Sequence, residues 1–128
     1  MKQLEKLLPH FLYLLIAFAV CSPAWLQDGY LIGGGDQPDW TGTAWAYWWS
    51  GYAFEHGLNP FNGSFNYFPL GQQPVAQYNL LDAFLAYPFL ELFGVRIGYN
   101  LFATLIVYSS AWGMHILARV AGASLLPA

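Results

Sequence analysis

The sequence predicts an all-α membrane protein, in which two transmembrane helices are joined by a long extracytoplasmic loop. Charged residues make up 9% of the chain and hydrophobic residues 57%, whereas ordinary globular domains are roughly 25% charged. Two segments, about 8–27 and 97–119, carry almost no charge, and each has about the ~20 residues that a bilayer crossing needs. A soluble domain of 128 residues could not bury so much apolar surface, so we expect lipid to be part of the solvent.

Charge and cysteine content exclude two further classes of protein. The net charge is −3 and the four basic residues form no cluster, so a nucleic-acid partner is not expected. Cys21 is the single cysteine, which rules out an internal disulfide. The expected surroundings are therefore the lipid bilayer and other membrane-embedded helices.

The first predicted span, about 8–27, has an orientation that follows from its flanks. Lys2 and Lys6 precede it, and acidic residues follow it from Asp28 onward. The positive-inside rule then places the N-terminus in the cytoplasm. A cleaved signal peptide is the alternative, because small residues surround Cys21 as they do at a cleavage site.

A surface helix is predicted over about 40–56. Asp39 or Thr41 can cap its start, and Gly57 can end it. Aromatic residues recur at helical spacing along one stripe of it: Trp45, Trp48, Trp49, Tyr52 and His56. Tryptophan suits the headgroup region, where its apolar ring and its N–H are both satisfied. We therefore expect this helix to lie along the membrane and not to cross it.

A second interfacial helix is predicted over about 76–93. The segment carries polar residues and a proline, namely Asn79, Asp82, Pro88 and Glu91. An ionised side chain in mid-bilayer costs several kcal/mol or more, so a helix at the interface is favoured over a true crossing, which stays the alternative. The helix after it, 97–119, would run inward and bring Arg119 to the cytoplasm. His115, inside that span, is expected to hydrogen-bond a neighbouring helix and not to bind a metal.

These elements form one membrane domain, 1–128, whose outer loop covers 28–96. Two spans bury few helix faces, and an aromatic-rich loop of this size needs something to pack against. We therefore expect the chain to be the N-terminal part of a longer polytopic protein, with the remaining transmembrane helices as its partners.

A run of short motifs suggests a family. Gly35-Asp36 opens the loop, the tryptophan-rich helix follows, and then come "GLNPF", "YFPLG", "YPFLELFGV" and "YNLF". In order and spacing this resembles the first part of large bacterial membrane proteins of the GT-C glycosyltransferase superfamily. The resemblance covers residues 8–120.

The resemblance implies an activity and a location. Family members with known activity move a sugar from a polyprenyl-phosphate donor to an acceptor on the outer face of the bacterial inner membrane. An acid in the first outer loop acts as the base or, in some members, binds a divalent cation such as Mg²⁺ or Mn²⁺. The matching acid is Asp36, with Asp39 as the neighbour that could share its role. Two residues separate these acids, which favours the base over a metal site.

Each candidate residue also has a plainer interpretation. Asp36 and Asp39 could be solvated loop acids, and Asp39 sits where a helix cap belongs. The aromatic stripe could bind a sugar or a polyprenyl chain through Trp45, Trp48, Trp49 and His56. It could equally anchor the helix to the membrane. A helix of this length places His56 roughly 25 Å from Asp39, so one site cannot hold both unless the chain folds back.

Two classes of function remain open. The chain is the N-terminal region of a lipid-linked sugar transferase, inactive on its own. Alternatively, it is a non-catalytic membrane subunit or transporter component that uses its aromatic loop to pack helices.

Overall fold

A computed structural model describes residues 2–27, 31–32, 38–62 and 80–123. These residues contain helices and no strands, so the all-α prediction is confirmed for them. The four helices are α1 (Lys2–Val20), α2 (Ser22–Leu26), α3 (Pro38–Glu55) and α4 (Leu80–Val120). Of these helices, α4 alone is long and apolar enough to cross a membrane, and the apolar part of α1, Leu7–Val20, is shorter.

The first apolar segment is broken near its end, where the sequence predicted one helix over about 8–27. The helix α1 ends at Val20, and the five-residue helix α2 follows after Cys21. Pro23 lies in the first turn of α2, and its missing N–H cannot continue the hydrogen-bond ladder of α1. Instead, the Ala24 N–H donates a hydrogen bond at 3.1 Å to the carbonyl of Cys21, three residues earlier, whereas an α-helix would use the fourth residue back. Pro23 is the residue from which this break could have been predicted.

The long helix α4 is bent sharply at Gly94, which has φ 76° and ψ 162°. The bend divides it into a first arm (80–93) and a second arm (95–120), which correspond to the two predicted helices, 76–93 and 97–119. Residues 76–79 lie outside the described part of the chain. The second arm starts directly after Gly94, because a single glycine in a conformation that other residues rarely adopt is enough for the turn.

The two arms of α4 fold back onto each other. A Cβ atom at Gly98 would lie 2.5 Å from the carbonyl carbon of Phe89 and 2.6 Å from the amide nitrogen of Leu90. The rings of Phe89 and Phe102 are 6.0 Å apart, although 13 residues of straight helix would separate them by about 20 Å. The absence of a side chain at Gly98 therefore permits backbone contact between the arms.

The helix α1 runs antiparallel to the second arm of α4. At one end, the Asn100 side chain donates a hydrogen bond to the Ala24 carbonyl. At the other end, the His10 ring hydrogen-bonds the Tyr108 hydroxyl. The start of α1 and the end of α4 therefore lie at the same end of the helix pair.

The helix α3 starts two residues earlier than predicted, and its end is where glycine predicted it. It begins at Pro38, a residue favoured at the first helical position. Asp39 is thus inside the first turn, and the expectation that Asp39 or Thr41 caps the helix from outside was wrong. Gly57 has φ 64° and donates its N–H to the Phe54 carbonyl. This glycine cap confirms the predicted end of the helix.

The apolar core lies between α3 and both arms of α4. Ala86, Leu90 and Phe102 form its buried centre, with Tyr47 and Trp48 of α3 packed against it. Gly51 of α3 lies so close to Tyr87 that an added Cβ would overlap that ring. Small residues in α3 and the first arm therefore allow a close approach of the two helices.

Candidate functional site

The predicted acids lie at the edge of the described structure. Asp36 is outside the described residues, as are the glycines at 33–35. Asp39 is in the first turn of α3, and its side chain is also outside the described part. The geometry around these acids is therefore given by the residues on either side, Ile32 and the start of α3.

Asn100 fixes the chain just before the glycines and Asp36. Its Oδ1 accepts a hydrogen bond from the Ile32 N–H at 3.0 Å. Its Nδ2 donates to the Ala24 carbonyl at 3.3 Å. The side chain is 1% exposed; its bond to Ala24 is buried and its bond to Ile32 is partly buried. The second arm of α4 thus holds the end of α2 and the residue that leads into the candidate loop.

The aromatic residues of α3 form one continuous stack, as their spacing predicted. Trp45 and Trp49 are parallel within 3°, with ring centroids 6.0 Å apart. Tyr52 continues the series, 5.3 Å from Trp48 and 6.0 Å from Trp49. His56 stacks on Tyr52 at 4.0 Å. The predicted stripe is therefore a physical surface of α3, built from contacts between successive turns.

Members of this stripe differ in how accessible they are. Trp49 is fully buried, and its indole N–H is donated to the Pro60 carbonyl at 2.9 Å. Trp45 and Trp48 are half-buried. Trp48 packs against the core between α3 and α4, so both Trp48 and Trp49 contribute to packing, whereas Trp45 is a half-buried tryptophan outside that core.

His56 is exposed, one residue past the end of α3. Its Nδ1 lies 2.8 Å from the Tyr52 carbonyl, so this nitrogen carries the proton and donates. The ring is thereby held in line with the stack. His56 and Asp39 are at opposite ends of the same helix, so the structure does not bring these two predicted residues together.

A group of ionisable residues that the sequence did not predict surrounds Tyr87. Burial raises the pKa of the Tyr87 hydroxyl above its ordinary value, and the nearby carboxylates of Glu55, at the end of α3, and Glu91, one turn further along α4, raise it further. Both carboxylates are exposed. The sequence signal was Gly51, one turn before Glu55, because its lack of a side chain lets Tyr87 approach α3.

Asp82 and Glu91 have different neighbours, as their separation along the helix implies. Glu91 faces Tyr87, whereas the negative charge of Asp82 acts on Tyr47. Burial raises the pKa of the Tyr47 hydroxyl above its ordinary value, and the Asp82 carboxylate raises it further. The hydroxyl therefore stays protonated at neutral pH and can act as a hydrogen-bond donor.

A second polar cluster joins α1 to the second arm of α4. The His10 Nδ1 is 2.6 Å from the Tyr108 hydroxyl, and the Tyr13 hydroxyl is 3.2 Å from the His115 Nδ1. Trp112 lies between the two pairs, 3.6 Å from the His10 ring and 4.9 Å from the His115 ring. The prediction that His115 hydrogen-bonds a neighbouring helix is confirmed.

Within the described ranges, no three side chains of His, Cys, Asp or Glu approach closely enough to hold a metal ion. A divalent cation bound by Asp36 would involve residues beyond those ranges.

Comparison with known proteins found no match: no family model, no curated protein and no solved structure is similar to this chain.

Proposed function

We propose that this chain is the N-terminal region of an integral membrane glycosyltransferase. It would transfer a sugar from a polyprenyl-phosphate donor to an acceptor at the outer face of a bacterial inner membrane. The observation that carries the proposal is the hydrogen bond from Ile32 to Asn100. It holds Ile32, which precedes Asp36 by four residues, at one end of the pair formed by α1 and the second arm of α4. The motif resemblance supplies the reaction class.

The antiparallel pairing of α1 with the second arm of α4 supports the proposed topology. The first arm is about 21 Å long and the second about 39 Å at 1.5 Å per residue, whereas the hydrocarbon core of a bilayer is about 30 Å thick. Of the two arms, the second alone is long enough to cross. With Lys2 and Lys6 in the cytoplasm, the second arm runs inward and Arg119 emerges on the same side. The outer region is then 28–96.

The length of chain between Ile32 and Asp36 limits where the acid can act. Four residues span at most about 14 Å, so Asp36 stays near the end of the helix pair at which Ala24 and Asn100 meet. In the proposed topology this is the outer interface, where a lipid-borne donor and a water-borne acceptor can both arrive. A carboxylate that is partly desolvated there is a stronger base than one in bulk water.

The proposed reaction requires one base and no redox change. The Asp36 carboxylate accepts the proton of the acceptor hydroxyl, whose oxygen attacks the anomeric carbon of the donor sugar. The bond between that carbon and the phosphate oxygen breaks, and the polyprenyl phosphate leaves with the electron pair. Trp45 and His56 would bind the sugar or the polyprenyl chain at the aromatic stack, while Trp48 and Trp49 support the stack by packing.

Replacing Asp36 with Asn in the full-length protein tests the proposal. The substitution keeps the volume and removes the base, so transfer from polyprenyl-phosphate-linked sugars should fall by about 10² or more, with normal expression. Asp39→Asn is the matched control and should have the lesser effect. Full activity of both variants would refute the base, and loss in Asp39→Asn alone would assign it to the other acid.

Accessibility labelling tests the topology separately from the chemistry. Single cysteines at Asn62 and Gln73 should react with a membrane-impermeant maleimide in intact cells, because both lie in the proposed outer region. Cys21 is 4% exposed, and its replacement by Ala removes any background label. Protection of both positions until the cells are lysed would reverse the proposed orientation.

A non-catalytic packing subunit is the second candidate function. The complete burial of Trp49 and the bond from its indole to Pro60 favour it, because they show part of the aromatic stripe engaged in packing. Trp45→Ala separates the two candidates, because Trp45 lies outside the core against which Trp48 packs. If the side chain binds substrate, the variant should fold and have a raised KM for the lipid-linked donor. If it only packs, the variant should express poorly, and the kinetic constants of the folded fraction should be unchanged.

A further inference from the structure

The end of α3 and the start of the first arm of α4 form an exposed apolar tip. The rings of Phe54 and Phe84 meet edge to face, with their centroids 4.6 Å apart. Leu58 is folded back towards the end of α3, because it donates its N–H to the Ala53 carbonyl at 2.7 Å. The residues of this apolar tip are all between 44% and 68% exposed: Phe54, Leu58, Leu81, Phe84 and Leu85. A contiguous group of exposed apolar side chains marks a contact surface.

Contacts between the two arms of α4 set the level of the apolar tip along the second arm. Gly98 lies against the backbone of Phe89, and Phe102 shares a buried core with Ala86. One turn further along the second arm therefore corresponds to about one turn further back along the first arm, so the arms are antiparallel. Continuing this register by one more turn places the apolar tip beside about 103–107 of the second arm.

In the proposed topology this level lies inside the hydrocarbon core, close to its outer boundary. With Arg119 at the cytoplasmic interface, a core of about 30 Å takes up about 20 residues of the second arm at 1.5 Å per residue and so begins near Asn100. The apolar tip is then up to about 10 Å below the outer boundary. By the same register, Leu92 and the turn at Gly94 lie above that boundary. The two ends of the first arm are therefore expected at different depths.

The composition of the apolar tip favours lipid over another helix as its partner. Helices that pack together in a membrane usually meet through small residues or through hydrogen-bonding side chains. The tip consists of leucine and phenylalanine alone, and such side chains are suited to contact with acyl chains. Glu55 and His56 follow Phe54 directly and are exposed. Because polar groups are costly in the hydrocarbon, they limit the tip to the outer boundary of the acyl region.

We propose that the apolar tip inserts into the outer leaflet and contacts acyl chains just below the headgroups. The first arm of α4 then stands at an angle to the membrane surface, whereas the sequence predicted a helix along that surface. This inference rests on the proposed membrane crossing by the second arm and is independent of the transferase chemistry. It assigns the lipid contact of the outer region to the apolar tip and not to Trp48 and Trp49, which are engaged in packing.

Spin labels on single cysteines test the depth of the apolar tip in the full-length protein, reconstituted into phosphatidylcholine vesicles. Cys21 and any further cysteine are first replaced by Ala. Labels are then attached at Leu85→Cys in the tip and at Leu92→Cys near the turn. These two positions form a matched pair, because they are two helical turns apart on one face of the first arm and are both exposed. Met114→Cys, exposed on the second arm, reports whether that arm is in lipid.

The depth of each label follows from its collision rates with oxygen, which is concentrated among the acyl chains, and with a water-soluble nickel chelate. We expect the label at Leu85 to lie deeper than the label at Leu92 by up to about 10 Å, the length of two helical turns. The label at Leu85 should collide mainly with oxygen, and the label at Leu92 mainly with the chelate. The label at Met114 should collide with oxygen and hardly at all with the chelate.

Each outcome decides the proposal. Equal depth at Leu85 and Leu92 overturns it, because the first arm would then lie along the surface. Collision of the Leu85 label mainly with the chelate also overturns it, since the apolar tip would be in water. Shielding of that label from both reagents overturns it too, because another part of the protein would cover the tip. A Met114 label in water defeats the proposed membrane crossing itself, whereas a Met114 label in lipid together with a tip in water defeats only this inference.

Discussion

The long helix α4 is packed by α1 on one side and by α3 on the other, and the two interfaces use different chemistry. The segment of α1 and α2 buries small residues, Ala17, Cys21 and Ala24, and α1 is joined to α4 by hydrogen bonds between side chains such as His10 and Tyr108. The large apolar side chains of α1 are mostly exposed: Leu7, Leu8, Phe11, Leu12, Leu15, Ile16, Phe18 and Val20. In the interface with α3, large residues are buried instead: Leu90 and Phe102 of α4 lie in a core against which Tyr47 and Trp48 of α3 pack.

The difference matches the solvent proposed for each region. Apolar burial gives no net gain between helices in lipid, so close packing of small residues and polar contacts hold such helices together. Beside water, burial of aromatic and aliphatic area is the main stabilising term. The α1 interface is therefore suited to the hydrocarbon region and the α3 interface to the membrane surface. Substitutions at the two interfaces should consequently have different effects.

The largest effect is expected at Gly98, where the two arms of α4 meet. Gly98→Ala places a Cβ against the backbone of Phe89 and Leu90, which cannot rotate away as a side chain can. We expect the free energy of unfolding, measured in mixed detergent micelles, to fall by about 3 kcal/mol. Gly113→Ala, in the same arm with nothing within 4 Å, is the control and should be neutral or slightly stabilising. Equal stability of both variants would mean that the arms do not touch.

A smaller loss of stability is expected from a substitution at Gly51, in the interface between α3 and α4. Gly51→Ala overlaps the ring of Tyr87, which can move, so about 1–2 kcal/mol is expected. The displaced ring should also lose its contacts with Glu55 and Glu91, which the ultraviolet titration of the tyrosines would report. Gly42→Ala in the same helix has open space around it and should leave both measurements unchanged. A neutral Gly51→Ala would indicate that α3 packs less closely than described.

The smallest effect is expected at the α1 interface. Tyr108→Phe removes only the hydroxyl that His10 binds. Hydrogen bonds between membrane helices are worth about 0.6 kcal/mol on average, and a double-mutant cycle with His10→Phe should return a coupling of that size. A coupling of 2 kcal/mol or more would mean that this hydrogen bond is stronger than those usually found between membrane helices. A coupling of zero would leave small-residue packing as the only contribution across this interface.

Features of the fold that follow from local chemistry could be predicted from the sequence. The aromatic spacing predicted the stack on α3, and Gly57 predicted its end. The polar residues of 76–93 predicted a helix separate from 97–119, which corresponds to the two arms of α4. Features that depend on contacts distant in sequence could not be predicted, because no local pattern encodes which helices meet. These include the return of the first arm onto Gly98 and the approach of Glu55 and Glu91 to Tyr87.

The same distinction between local patterns and distant contacts applies to the residues of the candidate site. Asp36 was identified from a motif, and its place outside the described residues leaves its role a prediction. Asn100 was passed over, although an amide inside an otherwise apolar span is a recognisable signal. Its partners, Ala24 and Ile32, could not have been named, because they are 76 and 68 residues away along the chain.

The turn at Gly94 also decides whether α4 fits a bilayer of ordinary thickness. A straight helix of 41 residues would extend about 60 Å, twice the hydrocarbon core of about 30 Å. Tilting accommodates only part of such a hydrophobic mismatch, since helices in structures tilt by about 40° at most. The excess would carry apolar residues near the start of the helix, such as Leu81 and Phe84, far out into water. One glycine thus divides a helix about twice as long as the hydrocarbon core into one arm that is long enough to cross and a second arm that folds back onto it.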